Sequence, residues 1–138
     1  MQDFIDFLKE EINTATGALN AYYDQIADFS QTAQQAYENK DSVKVRMKVV
    51  SQLNKAVADA EYEEATLNIY TVTLSRLEAH IKNNTVDDFI ETLLKSLSRE
   101  IGSKKFSDNQ LSQKDRAYAD ANFSMFKNII PYVGYAGN

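Results

Sequence analysis

The stretch "IDFLKEEINTATGALNAYYDQIADFSQTAQQA", residues 5–36, decides the architecture. Its apolar positions are Ile5, Leu8, Ile12, Ala15, Leu19, Tyr22, Ile26, Phe29, Ala33 and Ala36, and the gaps between them alternate three and four without a fault. That alternation is the signature of a helix that buries one narrow seam against a partner helix. A second series follows at Val49, Leu53, Ala56, Ala60, Glu63, Leu67, Tyr70, Leu74, Leu77 and Ile81, with one polar member.

The two series mirror each other. Nine of the ten members of the first pair with one of the second so that their numbers total 82, among them Ile5 with Leu77, Ile12 with Tyr70, Tyr22 with Ala60 and Phe29 with Leu53. Large residues tend to meet small ones, as close packing requires. The spacing therefore predicts an antiparallel hairpin over about 3–39 and 42–83, turning at Lys40-Asp41-Ser42. Each arm would be about 55 Å long at 1.5 Å per residue. Gly17 lies among poor helix formers, so a kink or break is expected as an alternative there.

Two shorter helices are predicted, over about 86–101 and 112–130. Thr85 and Asp88 read as a variant of a capping box, and Ser112 with Asp115 as another. Gly102 is a stop signal, "SKKFSDNQL" (103–111) reads as a loop, and Pro131 should end the last helix. The uncharged residues 131–138 should then form an extended apolar strip, docked on the chain's own core or on a neighbouring molecule. The expected fold is all-α and a single domain over 1–138: a long antiparallel hairpin with two shorter helices, resembling a four-helix bundle.

Composition narrows function by exclusion. The 138 residues hold four glycines, one proline and no cysteine, which argues against turn-rich β folds, disulfides and thiol chemistry. No run of about 18 apolar residues is present to span a bilayer. The acidic start "MQDFIDFLKEE" is unlike a basic signal peptide, so an intracellular, soluble setting, or a place within a larger assembly, is expected.

Chemistry is sparse. The single histidine, His80, lacks the spacing and the second copy of a di-iron motif and is expected to be solvated near a helix end. Glu61, Glu63 and Glu64 cluster, but glutamates on a long helix ordinarily form a solvated face. Glu63 differs, because it interrupts the seam and a polar seam residue can fix register. Nothing resembles a phosphate loop or a nucleophile with its base, so neither enzymatic activity nor any metal or cofactor is expected.

The hairpin tip is more informative. Residues 1–39 carry net −6 and residues 40–55 net +4. Lys40, Lys44, Arg46 and Lys48 surround an apolar stripe of Val43, Val50 and Val57, joined by Met47 and Tyr37. Either the last helix or the tail covers that stripe, or it is a contact surface. The candidate partner-binding residues are therefore Tyr37, Lys40, Val43, Lys44, Arg46, Met47, Lys48 and Val50 at the tip. Ile130, Tyr132, Val133 and Tyr135 join them from the C-terminal segment. The expected role is a protein–protein interaction or assembly module that binds a protein partner or itself as a homo-oligomer. The alternative is a binder of anionic membrane surfaces. Nucleic acid is not expected, because the flanking acids would repel phosphate.

Overall fold

The computed structural model describes residues 1–107 and 112–133, and the side chains of 1–99 and 112–133. Four helices follow one another: α1 Gln2–Glu38, α2 Val43–Lys82, α3 Val86–Ser107 and α4 Gln113–Val133. They pack into an all-α, bundle-like fold whose longest elements are the two arms of the expected hairpin.

Every seam position of α1 is buried or half-buried, with Leu8, Ala15, Leu19 and Ala36 fully so. On α2 the same holds from Val49 to Leu77, and only Ile81, at the open end, is exposed. Ile5 with Leu77, Leu8 with Leu74 and Ile12 with Tyr70 all lie in one hydrophobic cluster, as the predicted register requires. Helix α1 passes through Gly17 unbroken. The seam is continuous on both sides of that residue, and burial along it outweighs the propensity cost of one glycine.

Both corners at which α1 and α2 end are built the same way. After Asn39 caps α1, Lys40 takes a left-handed φ of 55°; its N–H donates to Tyr37 and that of Asp41 donates to Ala36. After α2, Asn84 takes φ 58°, with its N–H donating to Ile81 and that of Thr85 donating to His80. These are Schellman closures, which normally place glycine at the left-handed position. Neither position is glycine here, so glycine content was no guide to where the chain turns. Ser42 then caps α2 by accepting from the Val45 N–H at 3.3 Å.

Two helix ends differ from the expectation. Helix α3 continues through Gly102 to Ser107, so the predicted stop and the first part of the predicted loop are helical. Glycine lowers helix stability by about 1 kcal/mol without forbidding helix, and here the helical conformation continues through it. Helix α4 continues through Pro131 to Val133. A proline that close to the end forfeits one hydrogen bond, and tertiary packing of the last turn offsets this. Residues 131–133 are thus not an extended strip, and the rest of the predicted strip, 134–138, lies outside the described residues. The predicted cap of α4 is present, with the Asp115 N–H donating to the Ser112 hydroxyl at 3.2 Å.

Helices α3 and α4 cover only the open half of the hairpin. Phe4, Leu8, Tyr70, Leu77, Phe89, Ile90, Leu97, Met125, Ile129 and Val133 form the main core there. Ala65, Ala117 and Ala121 form a second, smaller cluster, where three small residues let α2 and α4 approach closely. Along α4 the Tyr118 hydroxyl accepts from Asn68 at 3.1 Å, and Tyr132 stacks on Phe4 and Phe7. So α4 runs from the middle of the hairpin to its open end, and among the described residues nothing from α3 or α4 packs on the two-helix tip beyond about residue 61 of α2.

Candidate interaction surface at the hairpin tip

Two strips flank the seam. One consists of residues that directly precede a seam position, the other of residues that directly follow one. In an antiparallel pair the reversal of direction mirrors the rotation of the second helix. Preceding positions of both arms therefore share one side of the hairpin, and following positions share the other.

In the open half the preceding side is apolar and covered. Phe4 and Phe7 stack with Tyr132, and Ile69 packs in the core. The Tyr62 hydroxyl meets Ser124 at 3.0 Å, and Thr73 packs beside the Met125 sulfur. The following side there is polar and largely open, with Asp6, Lys9, Asn13, Thr71, Ser75 and Glu78 exposed, although near the middle of the hairpin α4 reaches it through the Tyr118–Asn68 hydrogen bond.

In the tip the two sides exchange character. The preceding side now carries Gln25, Asp28, Lys48, Gln52 and Lys55, exposed and polar apart from Val45 at the turn. The following side carries Tyr23, Tyr37, Val43 and Val50, which are 49%, 71%, 62% and 46% exposed, with Val57 half-buried beside them. Met47, 66% exposed, fills the gap between Val43 and Val50. These residues face away from the side on which α3 and α4 pack. A shallow depression lined by Val43, Arg46, Met47, Val50, Ser51 and Asn54 marks the middle of the patch.

Of the candidate residues named from sequence, Tyr37, Val43, Met47 and Val50 therefore share this open patch. Lys40 and Lys44 are exposed beside it, whereas Lys48, also exposed, lies on the opposite side of the hairpin. Arg46 is half-buried, with its Nε withdrawn from solvent. The C-terminal candidates lie elsewhere. Val133 is buried in the chain's own core, and Tyr132, though partly exposed, stacks on Phe7 with ring centroids 4.7 Å apart. Ile130 is half-buried, and Tyr135 lies outside the described residues. Tyr23 was missed. Its signal was present, because it directly follows seam residue Tyr22 just as Val50 follows Val49.

The ionisable groups outside the tip have structural surroundings. His80 is not simply solvated: its Nδ1 lies 2.7 Å from the Thr85 hydroxyl and its ring stacks on Phe89 at 4.8 Å, joining the end of α2 to the start of α3. Burial pushes the Tyr70 phenol up to about 12, against a lowering contact from the Asn128 side chain. Burial also raises Glu63, and the negative charges of Glu11 and Asp59 add to the effect. Glu91 is lowered by its hydrogen bond and ion pair with Lys95, 2.9 Å away on the surface of α3.

Among the described residues no group of three or more histidines and acids is placed to hold a metal ion, and no helix is long and apolar enough to cross a membrane. The chain matches no family model, no curated protein and no solved structure.

Proposed function

We propose that this protein is a non-enzymatic helical interaction module whose contact surface is the open apolar side of the hairpin tip. The observation that supports this most directly is the exchange of sides. An apolar strip is useful in the open half because α3 and α4 cover it, and in the tip the apolar strip faces the opposite way. Large apolar side chains gathered on one exposed face, with cations at the margin, have the anatomy of a protein contact: an apolar centre and a polar rim. The bare tip also projects well beyond the bundle, which gives a partner free access.

Site-specific photo-crosslinking in cells tests the reading. A photoreactive residue at Met47 should give protein adducts, whereas one at exposed Glu78, on the polar part of the same side, should not. Adducts from Glu78 alone would move the contact surface away from the tip. Salt-sensitive co-sedimentation with anionic vesicles, without any protein adduct, would assign the tip to a lipid surface instead.

A further inference from the structure

We propose that the cleft between the end of α2 and the start of α3 binds a small amino carboxylate, whose carboxylate meets Arg76 and whose ammonium group meets Asp88. The inference is independent of the tip and concerns the opposite, open end of the hairpin.

The cleft encloses about 440 Å³, within the size range of pockets that hold small organic molecules. Arg76 and His80, one turn apart on α2, form one wall. Asp88, Thr92 and Ser96, each one turn further along a single face of α3, form the other, over a floor of Phe89 and Leu93. His80 fixes the level of the two walls. Its imidazole stacks on Phe89 with centroids 4.8 Å apart, and its Nδ1 lies 2.7 Å from the Thr85 hydroxyl. Asp88 therefore lies beside His80. Helix α3 runs back along α2 from that corner, so Arg76 comes level with Thr92 and Ser96.

The cleft is thus polarised along its length, acidic at Asp88 and cationic at Arg76, with about one helical pitch of 5.4 Å between them. Arg76 and Asp88 are both exposed, line the same cleft and make no ion pair with each other. A guanidinium takes a carboxylate in a forked contact, and the Thr92 and Ser96 hydroxyls stand at the same end to donate to it. An ammonium group at the other end donates to Asp88. The apolar floor suits the methylene groups between. A simple anion would be repelled by Asp88 and a simple cation by Arg76, so charge complementarity favours a ligand that carries both charges. The spacing fits 4-aminobutyrate, whereas in glycine the two charged groups are too close together to span the cleft.

NMR titration tests this, because His80 is the only histidine and its ring signals report on the cleft without ambiguity. At neutral pH, 4-aminobutyrate should shift those signals saturably. Butyrate and n-butylamine, each with one of the two charges, and glycine should bind at least about ten-fold more weakly. Arg76→Gln and Asp88→Asn should each weaken 4-aminobutyrate at least about ten-fold, with circular dichroism unchanged because both positions are on the surface. Asp88→Asn should not weaken butyrate, which a merely structural role for Asp88 would not predict. Lys55→Gln, at the tip, should leave the affinity for 4-aminobutyrate unchanged. A response of His80 to 4-aminobutyrate no greater than to sodium chloride overturns the inference. So does equal binding of 4-aminobutyrate, butyrate and n-butylamine, or binding that survives in both variants.

Discussion

The ring of Tyr132 stacks on that of Phe7, with centroids 4.7 Å apart and planes inclined by 23°. One ring comes from the last turn of α4, beyond Pro131, and the other from the second turn of α1. The contact, with Phe4 behind it, ties the end of the described chain to its beginning. It also supplies the packing that keeps the last turn helical past a proline.

Replacing Tyr132 by alanine should therefore cost about 1 to 2 kcal/mol, less than for a fully buried aromatic, because the ring is partly exposed. Urea unfolding gives the number. An unchanged midpoint would mean that the terminal turn contributes nothing to the fold.

Gly17 lies on the surface of α1, and a methyl group added there would meet nothing within 4 Å. Gly17→Ala should stabilise the protein by up to about 1 kcal/mol, through helix propensity alone. The melting temperature should rise by a few degrees on the scale expected for a domain of this size. A fall would show that the helix needs the glycine's freedom in a state other than this one.

Lys40 occupies the left-handed region at the hairpin turn, where an L side chain costs about 1 kcal/mol. Lys40→Gly should relieve that strain, offset in part by the greater freedom of glycine in the unfolded chain. The expected net gain is a few tenths of a kcal/mol, against a loss when the same change is made at Lys44 within α2. Paired denaturation curves of the two variants make the comparison.

Glu63 interrupts an otherwise apolar seam, and burial, with Glu11 and Asp59 nearby, raises its carboxyl above the ordinary value. Its folded-state pKa thus lies above its unfolded one. The fold therefore suffers no penalty at pH values below the unfolded pKa, where Glu63 is protonated in both states. It loses stability as pH rises through the folded value. Glu63→Gln should stabilise the protein at pH 7 and make little difference near pH 3.5. A gain independent of pH would place the cause in packing rather than charge.

Much of the architecture was legible from one kind of signal. Seam spacing located the two arms and the turn between them, because a period of 3.5 sustained over ten positions admits few other structures. Capping chemistry placed Ser112 at the start of α4 correctly. The ends of α3 and α4 were misread for the opposite reason. Gly102 and Pro131 shift local free energy by a few kcal/mol at most, and whether a helix stops depends on what its last turns pack against.

By itself, then, the sequence determined which residues of each arm face the other arm, since that pairing follows from periodicity along a single chain. It also contained, unread, the exchange of apolar residues from the strip preceding the seam to the strip following it. Only the tertiary structure decided what the exchange means. Two strips that both carry large apolar residues become core and surface according to which side α3 and α4 occupy. That choice rests on packing between segments far apart in the chain: Tyr62 with Ser124, Phe7 with Tyr132, the alanines of α2 with those of α4. No local pattern encodes it, because burial is a property of what lies opposite a residue, and the seam's period is silent about third and fourth helices.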